Sequence, residues 1–367
     1  MRKLLLSLLA LLFLASCSEG NGEKIAVEDF EFSDWNDFLQ IEEAVPLEVN
    51  EECVLSVASK CLVGKEKLFF WDYKQKRNFS FGRDGRYLGL VGDCGHASNE
   101  YSNIKDIQFS PDSTIVQVLD NKGIIYYRAD DDSFIKCEKP KFDRIDEAEK
   151  FIQISDDEYL FFNPKSGECL IKYANGEATV LRTANTIQMS CEKFYRYGGE
   201  TKNLSDYGDF YLETYKEGNL KRMLDLDLGA YALPVEQKPR NHEQFQKCDC
   251  DPSYFKAITS GCETDDWIYL SVGGYKNQNY NVFINKKDKR VVAGSNKGLY
   301  LCIFGSDKDC FYGILYPEFI EKGSFMEDVA NRYNVRNSNN PVLIKIRLNE
   351  KTVMPSLGLR LCRFYKA

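Results

Sequence analysis

Ile107-Gln108-Phe109-Ser110-Pro111-Asp112-Ser113-Thr114-Ile115-Val116-Gln117-Val118-Leu119-Asp120 is a pair of β-type runs around a polar turn. Branched apolar residues fit a pleated, packed surface, and Ser, Pro and Asp supply turn geometry between them. The unit recurs as Phe151-Ile152-Gln153-Ile154, the turn Ser155-Asp156-Asp157-Glu158, and Tyr159-Leu160-Phe161-Phe162-Asn163. Runs of the second kind appear at Leu68–Asp72, Ile115–Asp120, Tyr159–Asn163, Phe210–Tyr215, Trp267–Val272 and Phe311–Leu315. They are spaced 44–57 residues apart, with further short strands between them, split by Gly, Asp or Asn, which is the period of a four-stranded propeller blade. Six units predict an all-β, six-bladed β-propeller. A sandwich would show strands every 8–12 residues without the long period.

The two ends of this region predict closure. Val45-Pro46-Leu47-Glu48-Val49 and Val342-Leu343-Ile344-Lys345-Ile346-Arg347-Leu348 both alternate apolar and polar residues, as half-covered strands do. An N-terminal strand completing the last blade would leave no long sheet edge open. One stretch breaks the pattern. Residues 324–333 place Phe325, Met326, Val329, Ala330 and Tyr333 at helical spacing. Ser324 and Glu327 there form a capping-box pair, so a short helical insertion is expected in the last blade.

The chain begins with Met1-Arg2-Lys3, an apolar run from Leu4 to Phe13, and Leu14-Ala15-Ser16-Cys17. This is the layout of a secretory signal peptide, and its apolar run is too short to span a bilayer. The last four residues resemble a bacterial lipobox, which implies cleavage before Cys17 and lipidation of that cysteine. Residues 1–16 are therefore expected to be a signal peptide and 17–40 a lipidated, flexible tether, with the propeller over 41–367. Several acyl chains together give stable anchoring, so the expected partner of the N-terminus is a membrane.

Formal net charge is −8, and the leader contributes two of the basic residues, so the exported part is more acidic still. An acidic surface repels phosphate backbones, which excludes nucleic acid as a partner. The thirteen cysteines are compatible with disulfides in an exported chain, and Cys302 and Cys310 are spaced to face each other across a hairpin. Cys248-Asp249-Cys250 has no matching ligand pair. With only His96 and His242 in the chain, a three-histidine zinc site is excluded. Phosphate-loop, nucleophile-elbow and zincin motifs are absent. Acidic runs such as Asp130-Asp131-Asp132 lack the spacing of a calcium loop. No metal or cofactor is expected. Trp267, Tyr275 and Tyr280 are possible stacking platforms for sugars, or else sheet filling.

Phe81-Gly82-Arg83-Asp84-Gly85-Arg86-Tyr87-Leu88 and Val91-Gly92-Asp93-Cys94-Gly95-His96-Ala97-Ser98-Asn99-Glu100-Tyr101 resemble the loop between the first two blades of six-bladed propeller lipoproteins of Bacteroidota-type bacteria, with their NHL-like repeats. Asn340-Pro341-Val342-Leu343-Ile344 resembles the closing strand of that family. The resemblance implies a lipid-anchored propeller of the cell envelope, at the outer membrane, and it implies fold and location more than activity. Ala97-Ser98-Asn99 stands where that family often has Gly-Pro-Gly. Loops on rigid scaffolds carry function, so Asp93, His96, Glu100 and Tyr101 are the candidate ligand-binding residues; the competing role for Glu100 and Tyr101 is to pin the loop. No catalytic residue is assigned. The expected function is a binding or scaffold module for a glycan, peptide or protein partner, with a propeller lyase or hydrolase and a structural envelope component as alternatives.

Overall fold

The computed structural model describes residues 22–165, 167–184, 188–189 and 191–349. The leader and the lipidation candidate Cys17 lie outside the described residues, as do residues 350–367.

Six four-stranded antiparallel blades form a closed ring. Blade 1 runs through Ala58–Val63, Lys67–Asp72, Arg77–Gly82 and Tyr87–Leu90, and blade 2 through Asp106–Phe109, Ile115–Asp120, Gly123–Arg128 and Phe134–Glu138. Blade 3 spans Lys150 to Thr183, blade 4 Phe194 to Asp227, and blade 5 Ala257 to Ser295. Blade 6 combines Leu301–Ser306, Phe311–Leu315 and Val342–Leu348 with Leu39–Pro46 as its outermost strand. The ring is thus closed by an N-terminal strand, as the sequence predicts, but that strand is Leu39–Pro46, which overlaps the alternating Val45–Val49 stretch only at Val45 and Pro46.

Each interface between adjacent blades holds one apolar cluster. Middle strands are covered on both faces, which is why their sequences are nearly continuous apolar runs. In blade 3, Leu160 and Phe162 enter the interface with blade 4, while Tyr159 and Phe161 enter the interface with blade 2. A second recurring device sits where the second strands end. The Asp72 carboxylate accepts hydrogen bonds from the backbone N–H of Ser56, Val57, Lys74 and Gln75. Asp120 does the same for Ser102, Asn103 and Lys122. Each aspartate therefore both turns its own strand and ties down the connector that leads into its blade's first strand.

The segment expected as a tether is corrected from Glu23 onward. Glu23–Ala26 is a strand, parallel to Asn219–Asp227, and makes a fifth outer strand of blade 4. Ile25, Val27 and Phe30 are buried there, and Glu31 bridges to Gly294 of blade 5. Helix α1 (Trp35–Phe38) then seats Trp35 and Phe38 between blades 5 and 6. The apolar positions of this segment, hidden behind its polar start, clamp three consecutive blades from outside.

Helix α2 (His242–Cys250) lies in the connector between blades 4 and 5, with the Asn241 side chain capping Gln244 N–H. Helix α3 (Phe325–Arg332) is the expected insertion in blade 6. Ser324 Oγ accepts from Glu327 N–H at 3.2 Å, and the Glu327 carboxylate reaches back to Gly323 N–H rather than to Ser324. Met326, Val329 and Ala330 are buried against blades 5 and 6. No helix among the described residues is long and apolar enough to cross a membrane.

Candidate functional site

The first strands of the six blades surround a central channel containing a cavity of about 1200 Å³. One end, the connector end, receives the links between blades. At the other, the hairpin end, each first strand turns into its second. Long charged side chains from blades 1 to 4 fill one side of the channel. Lys60 Nζ of blade 1 lies 2.7 Å from Asp106 of blade 2 and 2.7 Å from Glu192, which precedes the first strand of blade 4. Lys150 Nζ of blade 3 lies 3.0 Å from Glu192 and 3.8 Å from Asp106. Blades 1 and 4 stand opposite each other in a ring of six, so the Lys60–Glu192 pair bridges the channel near its connector end.

Burial alone would raise the Glu192 carboxyl, but Lys150 and Lys60 hold it well below the usual carboxylate range. Asp106 goes the other way: its complete burial outweighs the two lysines and raises it. Burial likewise opposes the charge on Lys150, and Glu192 and Asp106 overcome it. The tetrad is a neutral, mutually dependent unit, as buried charges must be.

Nearer the hairpin end, Arg196 of blade 4 reaches across to blades 2 and 3. Its guanidinium donates to the carbonyls of Phe109 (3.4 Å), Ser110 (3.2 Å) and Gln153. Gln108, one residue before Phe109, lines the same cavity.

The opposite side, from blades 5 and 6 to blade 1, carries small residues: Ser260, Gly261, Cys262, Cys302, Gly305 and Cys61. The open volume follows from this difference in side-chain length. The thiols there are not activated. Burial pushes Cys61, Cys262 and Cys302 up, and Cys191 near the connector end up to about 11, so they remain protonated and poor nucleophiles at neutral pH. Cys302 pairs in register with Ile314, not with Cys310, which corrects the hairpin pairing the sequence allowed. No group of three His, Cys, Asp or Glu among the described residues is arranged to hold a metal ion.

The loop expected to bind ligand lies at the connector end, outside the cavity lining. Asp93 and His96 are exposed. Glu100 accepts from Ala97 N–H at 2.9 Å, inside the loop itself. Tyr101 is corrected from ligand contact to core: it is 0% exposed, and its hydroxyl accepts from Asn78 N–H and donates to the Gly92 carbonyl. Gly92 has φ +69°, and a Cβ there would sit 2.2 Å from the Tyr127 hydroxyl, so only glycine fits. The chain reaches the channel just beyond this loop, at Asn103, Ile104 and Lys105. Trp267 and Tyr280, possible sugar platforms by sequence, are buried in the sheet core.

The sequence reading missed the channel residues. Their only signal is polar or small residues at first-strand positions, as in Ser59-Lys60-Cys61 and Thr259-Ser260-Gly261, where a surface-facing strand would look the same.

The sequence profile of a family described as "Domain of unknown function (DUF4934)" matches residues 28–347. Among solved structures, a Bacteroides fragilis chain described as an exported protein superposes with a TM-score of 0.70 at 12% identity, over 90% of this chain and 99% of that one. A DUF4221 family member from Bacteroides vulgatus gives a TM-score of 0.57 at 10% identity, over 85% and 99%. Both share the fold. The profile match covers the propeller as a whole and does not carry the NHL-like label that residues 81–101 suggested. No curated protein sequence matches the chain.

Proposed function

This chain belongs to the DUF4934 family, and from that premise we propose that it is an exported, lipid-anchored binding module of the cell envelope that holds a small polar ligand in its central channel. The observation that carries this reading is the channel itself. Polar and charged groups from several first strands converge on one cavity of about 1200 Å³, large enough for a ligand of several rings, with a few fixed polar groups in a mixed lining. The leader supports export and acylation at Cys17, and the similar Bacteroides fragilis structure is described as exported. The outer membrane is the expected destination, and docking to an envelope protein would use the outer faces of the same ring.

The test is a thermal-shift screen of the chain from Ser18 onward against sugars, peptides and small acids. Cys302→Trp serves as a variant that fills the open side of the channel. A ligand that raises Tm in the parent chain and not in Cys302→Trp supports the reading. Ligands that stabilise both equally bind elsewhere and overturn it. Loss of membrane retention in Cys17→Ala checks the anchor.

A further inference from the structure

We propose that the channel ligand is a small hydroxylated carboxylic acid, such as an acidic sugar unit, with its carboxylate seated between the Arg196 guanidinium and the Gln108 side-chain amide. This rests on reading the channel as the binding site.

Charge is the first argument. The protein carries a net −8, yet its channel is locally cationic. Lys60 and Lys150 are matched by Asp106 and Glu192. The remaining lining cations are Lys76, Lys105, Lys308 and Arg196, against Glu149 and Asp307. Glu149 is already paired with Lys165, and Asp307 accepts from Tyr312 Oη and two backbone N–H groups. Arg196 is the most enclosed of the four. Its hydrogen bonds go to neutral carbonyls, which orient the guanidinium, and the one carboxylate acting on it, Asp112, does so at longer range and offsets its burial only in part. An anion brought beside a largely enclosed guanidinium gains more than it would at the surface.

Gln108 is the second and independent argument. It is 8% exposed and lines the cavity, and its Nε2 has no hydrogen-bond partner among the described residues. Its cross-strand neighbour Gln117 donates its Nε2 to Gln153, and the Gln117 Oε1 is likewise without a partner among the described residues. A buried donor left unmade costs stability, and a ligand acceptor would satisfy it. The Arg196 guanidinium is held by the carbonyls of the two residues that follow Gln108, so both residues belong to the same part of the cavity lining.

The donor set selects the anion. One guanidinium, part of it already committed, and one amide match a planar, singly charged carboxylate. A phosphate dianion would call for more donors and more charge. Across the cavity, the hydroxyls of Ser59 and Ser260 and the rings of Trp71 and Tyr316 suit a ligand with hydroxyl groups and a carbon face.

Isothermal titration and saturation-transfer NMR with D-glucuronate and D-galacturonate, using D-glucose and D-galactose as neutral controls, test this directly. The expected result is binding of an acid but not of its neutral counterpart, weakening as salt is raised. Gln108→Leu is expected to cost about tenfold in affinity while leaving Tm equal or higher, since it removes an unmatched buried amide; a merely structural glutamine would not show that split. Arg196→Met is the second variant, expected to abolish acid binding. Neutral sugars binding as well as acids, or Gln108→Leu and Arg196→Met both binding normally, would overturn the carboxylate assignment. The channel reading would still stand if Cys302→Trp blocked that binding. Failure of every acid to bind also overturns the assignment, and the thermal-shift screen then decides the channel reading by itself.

Discussion

Tyr101 holds the connector between blades 1 and 2 from within. Its ring is enclosed in the apolar cluster between those blades, and its hydroxyl joins Asn78 to Gly92. His96, five residues earlier, is exposed. These two residues looked alike as candidates because a loop tyrosine and a loop histidine both suit a binding rim. Their energetics should differ sharply. Tyr101→Ala is expected to cost about 3–5 kcal/mol, as a large core truncation does, and Tyr101→Phe about 1 kcal/mol for the lost hydroxyl contacts. His96→Ala and Asp93→Ala should stay within about 0.5 kcal/mol of the parent. Urea titrations of the four variants measure this. Equal effects of Tyr101→Ala and His96→Ala would show that the tyrosine is not the pin.

At the scale of elements, legibility depended on whether a strand's burial could be read from its own residues. Leu68-Phe69-Phe70 and Tyr159-Leu160-Phe161-Phe162 announce themselves because both their faces are covered by neighbouring blades. Blade 4 was read one strand late. Its second strand, Glu200–Leu204, contains Thr201, Lys202 and Asn203, all buried yet polar. Lys202 donates to Glu200 of the same strand and to Thr214 of the next, and the Asn203 amide donates to Glu213. Glu213 and Thr214 lie in the following strand, Tyr211–Lys216, so no local pattern marks the strand. The channel was invisible for the same reason: Lys60 and Glu192 meet only once the ring has closed. The polar stretch Ser18 to Lys24 hides the segment, although the apolar Ile25, Val27 and Phe30 follow directly behind it. Two truncations separate the roles of this segment. A chain beginning at Asp34 loses the fifth strand of blade 4 and the burial of those three side chains, each contributing about 1.5–3 kcal/mol as an upper estimate. It should fold with a lower Tm. A chain beginning at Leu47 also loses the strand that closes blade 6, and should show no cooperative calorimetric transition. A sharp transition near the parent Tm in that shorter chain would mean the ring closes without its N-terminal strand.

At the scale of the whole molecule, the ring is held at its rim by the closing strand and across its middle by charge. Each member of the Lys60–Asp106–Lys150–Glu192 tetrad comes from a different blade or from the connector into it, so the group forms only when four blades are in place. Glu192→Gln leaves two lysines sharing one carboxylate inside the channel. The expected cost near neutral pH is about 3 kcal/mol, the range for removing one partner from a buried pair. The pH dependence follows from the direction of the shift. The folded Glu192 carboxyl is held below its ordinary value, so its stabilisation is present above the unfolded carboxylate range, near about 4.3, and is lost as pH falls through the lower folded value. Asp106, raised by burial, acts in the opposite sense and returns part of that stability as it takes up a proton. The difference in unfolding free energy between the parent chain and Glu192→Gln should therefore be largest above pH ~5 and shrink steadily toward pH ~2–3. Denaturant titrations of both proteins across that range give the difference directly. A gap that stays constant with pH would mean that Glu192 contributes shape to the channel rather than charge, and that the blades are not joined through it electrostatically.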